Sequence, residues 1–490
     1  MTSEIVILQP KTVLADPHDC TDAKDTLTMM HAIFDTLVVR GAAGFGPGLA
    51  LSWTCSEDGC SWQFHLRDGV VFHDGTRCDA EAVVLSLRRM ARVDKGYTLG
   101  SPGVWHQYLG DARIEAVAAD VVAIDLGAPV ADLLDILVQG FIVAPASLAA
   151  LEAGEASAWV GSGPYRLVIH TETEVHAARV DTHFRGHFRG HFRGMPANAA
   201  LCWRAVPAPQ DRLELLAAGN AHVAKALDVQ ASESLDRSRI TRHASLDPVA
   251  IIYLLNAGSG PFADPLVRRA VSLSVDRIAL IDRVLRGAAQ PLNGFISPVH
   301  FGAADDVMPF DPDQAMALLG QAGYGKGLAL RVDCPTSLPD EAEALTAALA
   351  EQLADVGITL DVTRHEDREA YAHMVRRKEI GDMCVFDSSP LSTFRVLYEK
   401  IDARVGGAWW QGYHNADVER LLDSARLETN DGARAALYRD IYRLLQADPP
   451  WLTLYNPTRV IGLRGDHPGF VLPHDGVLDV TGLPAFGGAA

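Results

Sequence analysis

Nowhere in the 490 residues do 18 or more apolar residues run together, so no segment is long and apolar enough to cross a bilayer as a helix. Positive charge is also scarce: 43 Lys and Arg stand against 62 Asp and Glu, a formal net charge of −19. Binding nucleic acid or an anionic membrane requires a basic face that displaces counterions, so the balance argues against both as partners. It says nothing about fold. Cysteines number seven and none forms a CxxC pair. Cys55 and Cys60 flank the turn Ser56-Glu57-Asp58-Gly59 between Trp53 and Trp62, where two strands can bring them together. A cross-strand disulfide is one reading, and it demands near-ideal geometry. Cys20, Cys78, Cys202, Cys334 and Cys384 read as small buried apolar side chains. An odd thiol count fits a reducing compartment slightly better than an oxidising one. The first 19 residues have no basic stretch, apolar core or small-residue cleavage site, so they do not read as a signal peptide. Either the chain is a mature form with a new start codon, or it works in the cytosol.

Catalytic signatures are missing too. There is no GxSxG elbow. His365-Glu366-Asp367-Arg368-Glu369 lacks the second histidine of a zincin. Gly320–Gly327 nearly spells a P-loop, but Gly327 stands where Ser or Thr must hold magnesium, and a helix precedes it. Glycine-capped helix C-terminus is the better reading. The expectation is a protein that is not an enzyme, with no cofactor and no metal site.

What is present is a soluble-type composition, 48% hydrophobic and 21% charged, in a chain too long for one core. Strands are expected at 5–8, 53–55, 61–66, 121–126 and 164–170. Helices are expected at 25–38, with Asp25 as a cap, and at 79–90. The Gly- and Pro-rich stretch 41–48 reads as a break. From about residue 249 the rhythm changes. A strand at 251–255 precedes helices opened by Asp264-Pro265 and by Asp311-Pro312-Asp313. Segments 328–334, 341–356, 358–363 and 382–386 then alternate strand, helix, strand and strand, the grammar of an α/β lobe. Residues 416–446 read as helical, and 451–455 and 459–463 as two closing strands. A tetrapeptide repeats three times, beginning His183-Phe184-Arg185-Gly186. A glycine every fourth residue weakens a helix by about 1 kcal/mol each, so the repeat reads as a surface loop.

Several blocks, in order, resemble the oligopeptide/dipeptide/nickel solute-binding family of ABC importers (family 5). They include Phe34-Asp35-Thr36-Leu37-Val38, Pro47-Gly48-Leu49 and Phe64-His65-Leu66-Arg67-Asp68-Gly69. Phe72-His73-Asp74-Gly75, Gly161-Ser162-Gly163-Pro164-Tyr165, Val267-Arg268-Arg269-Ala270-Val271 and Phe310-Asp311-Pro312-Asp313 continue the series. The resemblance runs from about residue 4 to about residue 480. It implies an α/β fold with mixed sheets, of the two-lobed periplasmic-binding-protein type II, with an extra inserted subdomain. Lobe I would take residues 1–37, 160–240 and 456–490, the insertion 38–159, and lobe II 241–455. It further implies a periplasmic monomer that encloses a small molecule or short peptide between closing lobes and serves importer permease subunits. A cytosolic sensor or enzyme on the same fold is the alternative, and a metal–metallophore complex the alternative ligand.

Three segments are candidates for the ligand. The first surrounds Asp22, in a loop that the resemblance places near the ligand. The second is Trp105-His106-Gln107-Tyr108, aromatic and polar. The third runs from Phe386 through Asp387, Ser388 and Ser389 to Arg395, followed by Trp409, Trp410 and Tyr413. Asp387–Ser389 should lie just past the carboxyl end of a strand, the usual ligand side of an α/β sheet. Phe386 resembles the position of a tryptophan that, in peptide-binding relatives, precedes the aspartate contacting the peptide amine; Asp387 would then supply that contact. Arg395 offers a planar fork to a carboxylate. Arginines that nickel-metallophore relatives carry near the segment 139–145 have no counterpart here. Plainer readings stand beside these. Asp22 and Asp25 can be helix caps, Asp387 and Ser388 turn caps, and His106 a satisfied polar residue. Trp105 and Tyr413 can belong to the core, as can one of Trp409 and Trp410.

Overall fold

In the computed structural model, residues 4–41, 44–98, 103–155, 158–184, 194–292, 294–303, 308–337, 339–390, 392–473 and 475–486 are described. The chain divides into two compact units, residues 1–245 with 459–490, and residues 246–458. It passes between them twice. The return is made by a single 14-residue strand, Trp451–Arg464, where two separate strands were expected.

In the first unit, Ile5–Gln9 pairs in parallel with both Ala200–Ala205 and Val223–Leu227. Antiparallel strands Glu174–Arg179 and Tyr165–His170 extend the sheet. The hairpin around Gly59 forms as expected and belongs to a separate four-stranded antiparallel sheet made by residues 50–66 and 113–125. Trp62, Phe64 and Leu66 point inward and their neighbours outward, which is the period-two pattern of a half-buried strand. Cys55 and Cys60 are free thiols. The Gly- and Pro-rich stretch is no simple break: Val38–Gly41 and Gly44–Pro47 pair as a short hairpin.

The helix near the start is Lys24–Ile33, shorter than its apolar spacing suggested. It stops because Phe34 turns extended and Asp35 is drawn into a buried junction. Asp35 is 2% exposed. Its Oδ2 accepts from Ser162 Oγ at 3.0 Å and lies 3.1 Å from His183 Nε2. Gly163 N donates to Ile33 O, His73 N donates to Gly161 O, and His73 Nε2 meets Gly163 O, each at 2.9 Å. Arg67 Nε donates to Gly48 O at 2.8 Å, and Gly48 N donates to Leu37 O. The family-like blocks of the first half thus meet in one place. Asp25 is not the helix cap, since that position is Ala23. Asp25 instead pairs with Lys225 Nζ at 2.8 Å. Burial lowers the ammonium's pKa, with the Asp25 charge opposing. His183 and Phe184, the first two residues of the first tetrapeptide, are buried rather than at the surface; residues 185–193 lie outside the described residues.

In the second unit the sheet order is Ile358–His365, Leu328–Pro335, Met383–Ser388, Ala250–Leu255 and Trp451–Arg464. The first three run parallel and the last two pair antiparallel. All six residues of Ala250–Leu255 are buried. Ile251, Tyr253 and Leu255 enter one apolar core and Ala250, Ile252 and Leu254 another. A strand covered on both faces needs a continuous apolar run, and the sequence provides one. The Asp-Pro helix starts behave as expected: Asp264 accepts from Leu266 N, and Asp311 from Gln314 N.

His18 is fully enclosed in the first unit and held neutral. Arg89 Nη1 donates to its Nδ1 at 2.8 Å, so its Nε2–H donates to Phe141 O at 3.0 Å. Burial first, and the Arg89 charge second, push its pKa down to about 4.

Two outcomes follow from these packings. A Cβ on Gly163 would lie 2.5 Å from the Ile33 carbonyl carbon. Gly163→Ala should therefore lower stability by about 2 kcal/mol in urea unfolding; an unchanged midpoint would contradict the close approach. Between pH 6.5 and 4 the unfolded chain protonates His18 and the folded chain does not, so stability rises with pH in that window. Wild type should lose about 2 kcal/mol more than His18→Gln between pH 7 and pH 5. Asp19, which burial pushes up to about 6, changes with the opposite sign but is present in both proteins. Equal losses in the two proteins would refute the neutral His18.

Candidate functional site

The carboxyl end of Met383–Ser388 carries the residues with free chemistry. Along it, Met383 and Val385 face one core and Cys384 and Phe386 the other. Phe386 is buried against Trp409, with ring centroids 4.7 Å apart. Asp387 and Ser389 stay partly exposed, and Ser389 Oγ donates to Asp387 Oδ2. Ser388 turns inward, where its Oγ accepts from buried Lys400 Nζ at 3.1 Å.

Sequence reasoning missed the cation beside this aspartate. Asp367 caps the helix Arg368–Arg376 by accepting from Glu369 N and Ala370 N, which fixes Arg368 at its first turn. The Arg368 guanidinium lies over the rings of Phe386, at 5.2 Å, and Tyr371, at 5.4 Å. Tyr371 is itself anchored, its hydroxyl donating to Val385 O at 2.6 Å. Arg368 Nη2 stands 3.6 Å from Asp387 Oδ1, an ion pair too long to be a hydrogen bond. Its Nε and Nη1 are buried and find no acceptor among the described residues. The only sequence signal is the His365–Glu369 segment, which lacks the second histidine of a zinc motif.

Arg395 is not available to a ligand carboxylate. It is buried on the helix Thr393–Lys400, and its Nε donates to Glu399 Oε1 at 3.0 Å, one turn further on. A buried guanidinium takes the nearest carboxylate. Tyr413 is 2% exposed and packs under Arg268, centroid distance 5.6 Å. Trp409 is buried as well, while Trp410 is half-buried and donates from Nε1 to Tyr413 O at 2.6 Å. Both tryptophans lie in a turn region rather than on a strand.

Asp22, Trp105, His106 and Tyr108 belong to the first unit. Trp105 is fully buried and its Nε1 donates to His18 O at 2.9 Å, so it is core. Tyr108 is buried, and exposed His106 has its Nδ1 2.9 Å from Ala91 O. Asp22 is half-buried, one residue before the helix cap Ala23, and so does not cap the helix. Phe141, Ile142, Val143 and Ala144 are all 1% exposed or less, so this stretch of the 139–145 segment has no side chain at the surface.

Residues 44–398 match the bacterial extracellular solute-binding proteins, family 5 (middle region). Glutathione-binding protein GsiB of Shigella boydii serotype 4 is 27% identical over 422 residues, which span 83% of this chain and 79% of that protein. Among solved structures, HbpA2 from Haemophilus parasuis superposes with a TM-score of 0.78 at 20% identity, covering 97% of this chain and 98% of that one. DppA from Helicobacter pylori, an ABC transporter-associated periplasmic binding protein in complex with peptide STSA, gives 0.75 at 22% identity, covering 94% and 93%. These likenesses show the fold, which is that of the type II periplasmic binding proteins with mixed sheets. The family match spans well over half of the sequence, and the chain belongs to the bacterial extracellular solute-binding proteins, family 5.

Proposed function

We propose that this solute-binding protein captures a small zwitterionic, peptide-like solute outside the cytoplasmic membrane and delivers it to the permease of an ABC importer. Binding is the whole of its chemistry; it turns nothing over. Arg368 carries the reading. A guanidinium with buried, unpaired Nε and Nη1 is costly. A ligand carboxylate would give Nη1 a charge-assisted hydrogen bond, while Nε–H, which points to the opposite edge of the guanidinium, needs an acceptor of its own. Asp387, held 3.6 Å from Nη2 without a hydrogen bond to it, keeps an oxygen for an ammonium group. Cation and anion side by side suit a molecule bearing both charges. The relative GsiB is named for glutathione, a tripeptide with an α-amine and carboxylates. Membership of an extracellular family supports this reading over a cytosolic sensor. Of the candidate ligand residues, Asp387 and Ser389 keep that role and Arg368 joins them, while Trp105, Tyr413 and Arg395 are packed in the interior.

Isothermal titration with glutathione and a panel of di- and tripeptides tests the proposal. The best-bound peptide should lose about 10- to 100-fold in affinity with Arg368→Ala, the worth of a charged hydrogen-bonded contact. Amidating its carboxylate should weaken wild type and leave Arg368→Ala unaffected. Asp387→Asn should likewise stop distinguishing the free amine from its acetylated form. Variants that bind all these ligands as wild type does would sink the assignment.

A further inference from the structure

A second constellation lies on the first unit's sheet. Cys202 stands directly across from His176, and Arg204 directly across from Glu174, on the antiparallel strands Ala200–Ala205 and Glu174–Arg179. Residues two apart on a strand share a face, so Glu174, His176, Cys202 and Arg204 project to the same side. Val6 pairs with Cys202, which sets Glu4, two residues earlier, on that side too. His176 Nε2 is 3.8 Å from Cys202 Sγ and 3.2 Å from Glu174 Oε2. His176 Nδ1 is 2.8 Å from Glu4 Oε1. Donor atoms of Glu4, His176 and Cys202 all lie within 4.8 Å of one another.

We propose that His176 Nε2, Cys202 Sγ and Glu174 Oε2 form a binding site for a zinc-type divalent cation, with Glu4 orienting His176 through Nδ1. Zinc bonds of about 2.3 Å to sulfur and about 2.1 Å to nitrogen or oxygen, at tetrahedral angles, separate ligand atoms by about 3.3–3.6 Å. The two distances from Nε2 already fall close to that range. The surroundings favour the same assignment of atoms. With an ion on Nε2, the Nδ1–H donates to Glu4, the usual outer support of a metal-bound histidine. Arg204 Nε holds Glu174 Oε1 at 2.7 Å, leaving Oε2 toward the histidine. A mixed nitrogen, sulfur and oxygen set suits zinc and its transition-metal neighbours over magnesium or calcium. His176 and Glu174 are partly exposed, which gives the ion a way in and water for its fourth position. Cys202 is 1% exposed and closes the inner side. The competing arrangement is a plain ion pair, in which the two carboxylates raise the His176 pKa and Cys202 remains a thiol. In that case zinc gains nothing from Cys202.

The test uses the full chain, freed of metal, with zinc chloride titrated at pH 7.5 against a chromophoric chelator. Cobalt substitution then reads the thiolate-to-metal absorption. One zinc should bind with Kd about 1 μM or below. Cys202→Ser and His176→Gln should each weaken it at least tenfold, while Cys60→Ser leaves it unchanged. Cys202→Ser should also abolish the cobalt–thiolate band, with far-ultraviolet circular dichroism confirming that each variant is folded. No zinc bound at these concentrations, or zinc and cobalt spectra indifferent to Cys202→Ser and His176→Gln, would overturn the proposal. Zinc held by histidines elsewhere belongs to that second outcome.

Discussion

Asp35 is the residue around which the first unit is arranged. A carboxylate removed from water must be met by donors, and Ser162 and His183 meet it from two distant parts of the chain. Those contacts require the backbone before Tyr165 to press against the end of Lys24–Ile33, which only glycine at 161 and 163 allows. His73 then closes on the same glycine-rich segment, and Arg67 holds the turn at Gly48. The residues by which the family is recognised in the first half of the sequence are therefore structural. They fix the fold and say little about the solute.

The second unit makes the complementary point. Its central strands are buried on both faces, so every side chain along Ala250–Leu255 and Met383–Phe386 is committed to packing. Chemistry is possible only where a strand runs out. There the helix cap at Asp367 positions Arg368, the rings of Phe386 and Tyr371 support it, and Asp387 faces it without satisfying it. Proteins that bind small charged molecules leave a few polar groups uncommitted in a rigid frame.

Much of this was legible in the sequence because local rules sufficed. Asp followed by Pro marked the helix starts at 264 and 311, alternation marked Ser61–Leu66, and a continuous apolar run marked a strand covered on both sides. Local rules failed where a distant partner decides. Apolar spacing carried the first helix past Ile33, but Ser162 and His183 pull the chain away at Asp35. Asp25 looked like a cap until Lys225, 200 residues on, claimed it. Among candidate site residues, 387–389 read as lying just past a strand; Asp387 and Ser388 are instead its last two residues, and Ser389 follows it. Arg395 reads as a fork offered to a ligand, whereas in the structure it is buried and donates to Glu399 one turn away. Arg368 went unnoticed because nothing local shows that a guanidinium will be buried without an acceptor.

In the proposed function, Arg368 and Asp387 together read a zwitterion for an ABC importer. The most direct measurement is a crystal structure of the protein with its bound solute. It should show a ligand carboxylate hydrogen-bonded to the Arg368 guanidinium at about 2.7–2.9 Å, and an ammonium group on Asp387. A bound solute that leaves Arg368 without a contact, or that pairs it with an uncharged group, would contradict the claim.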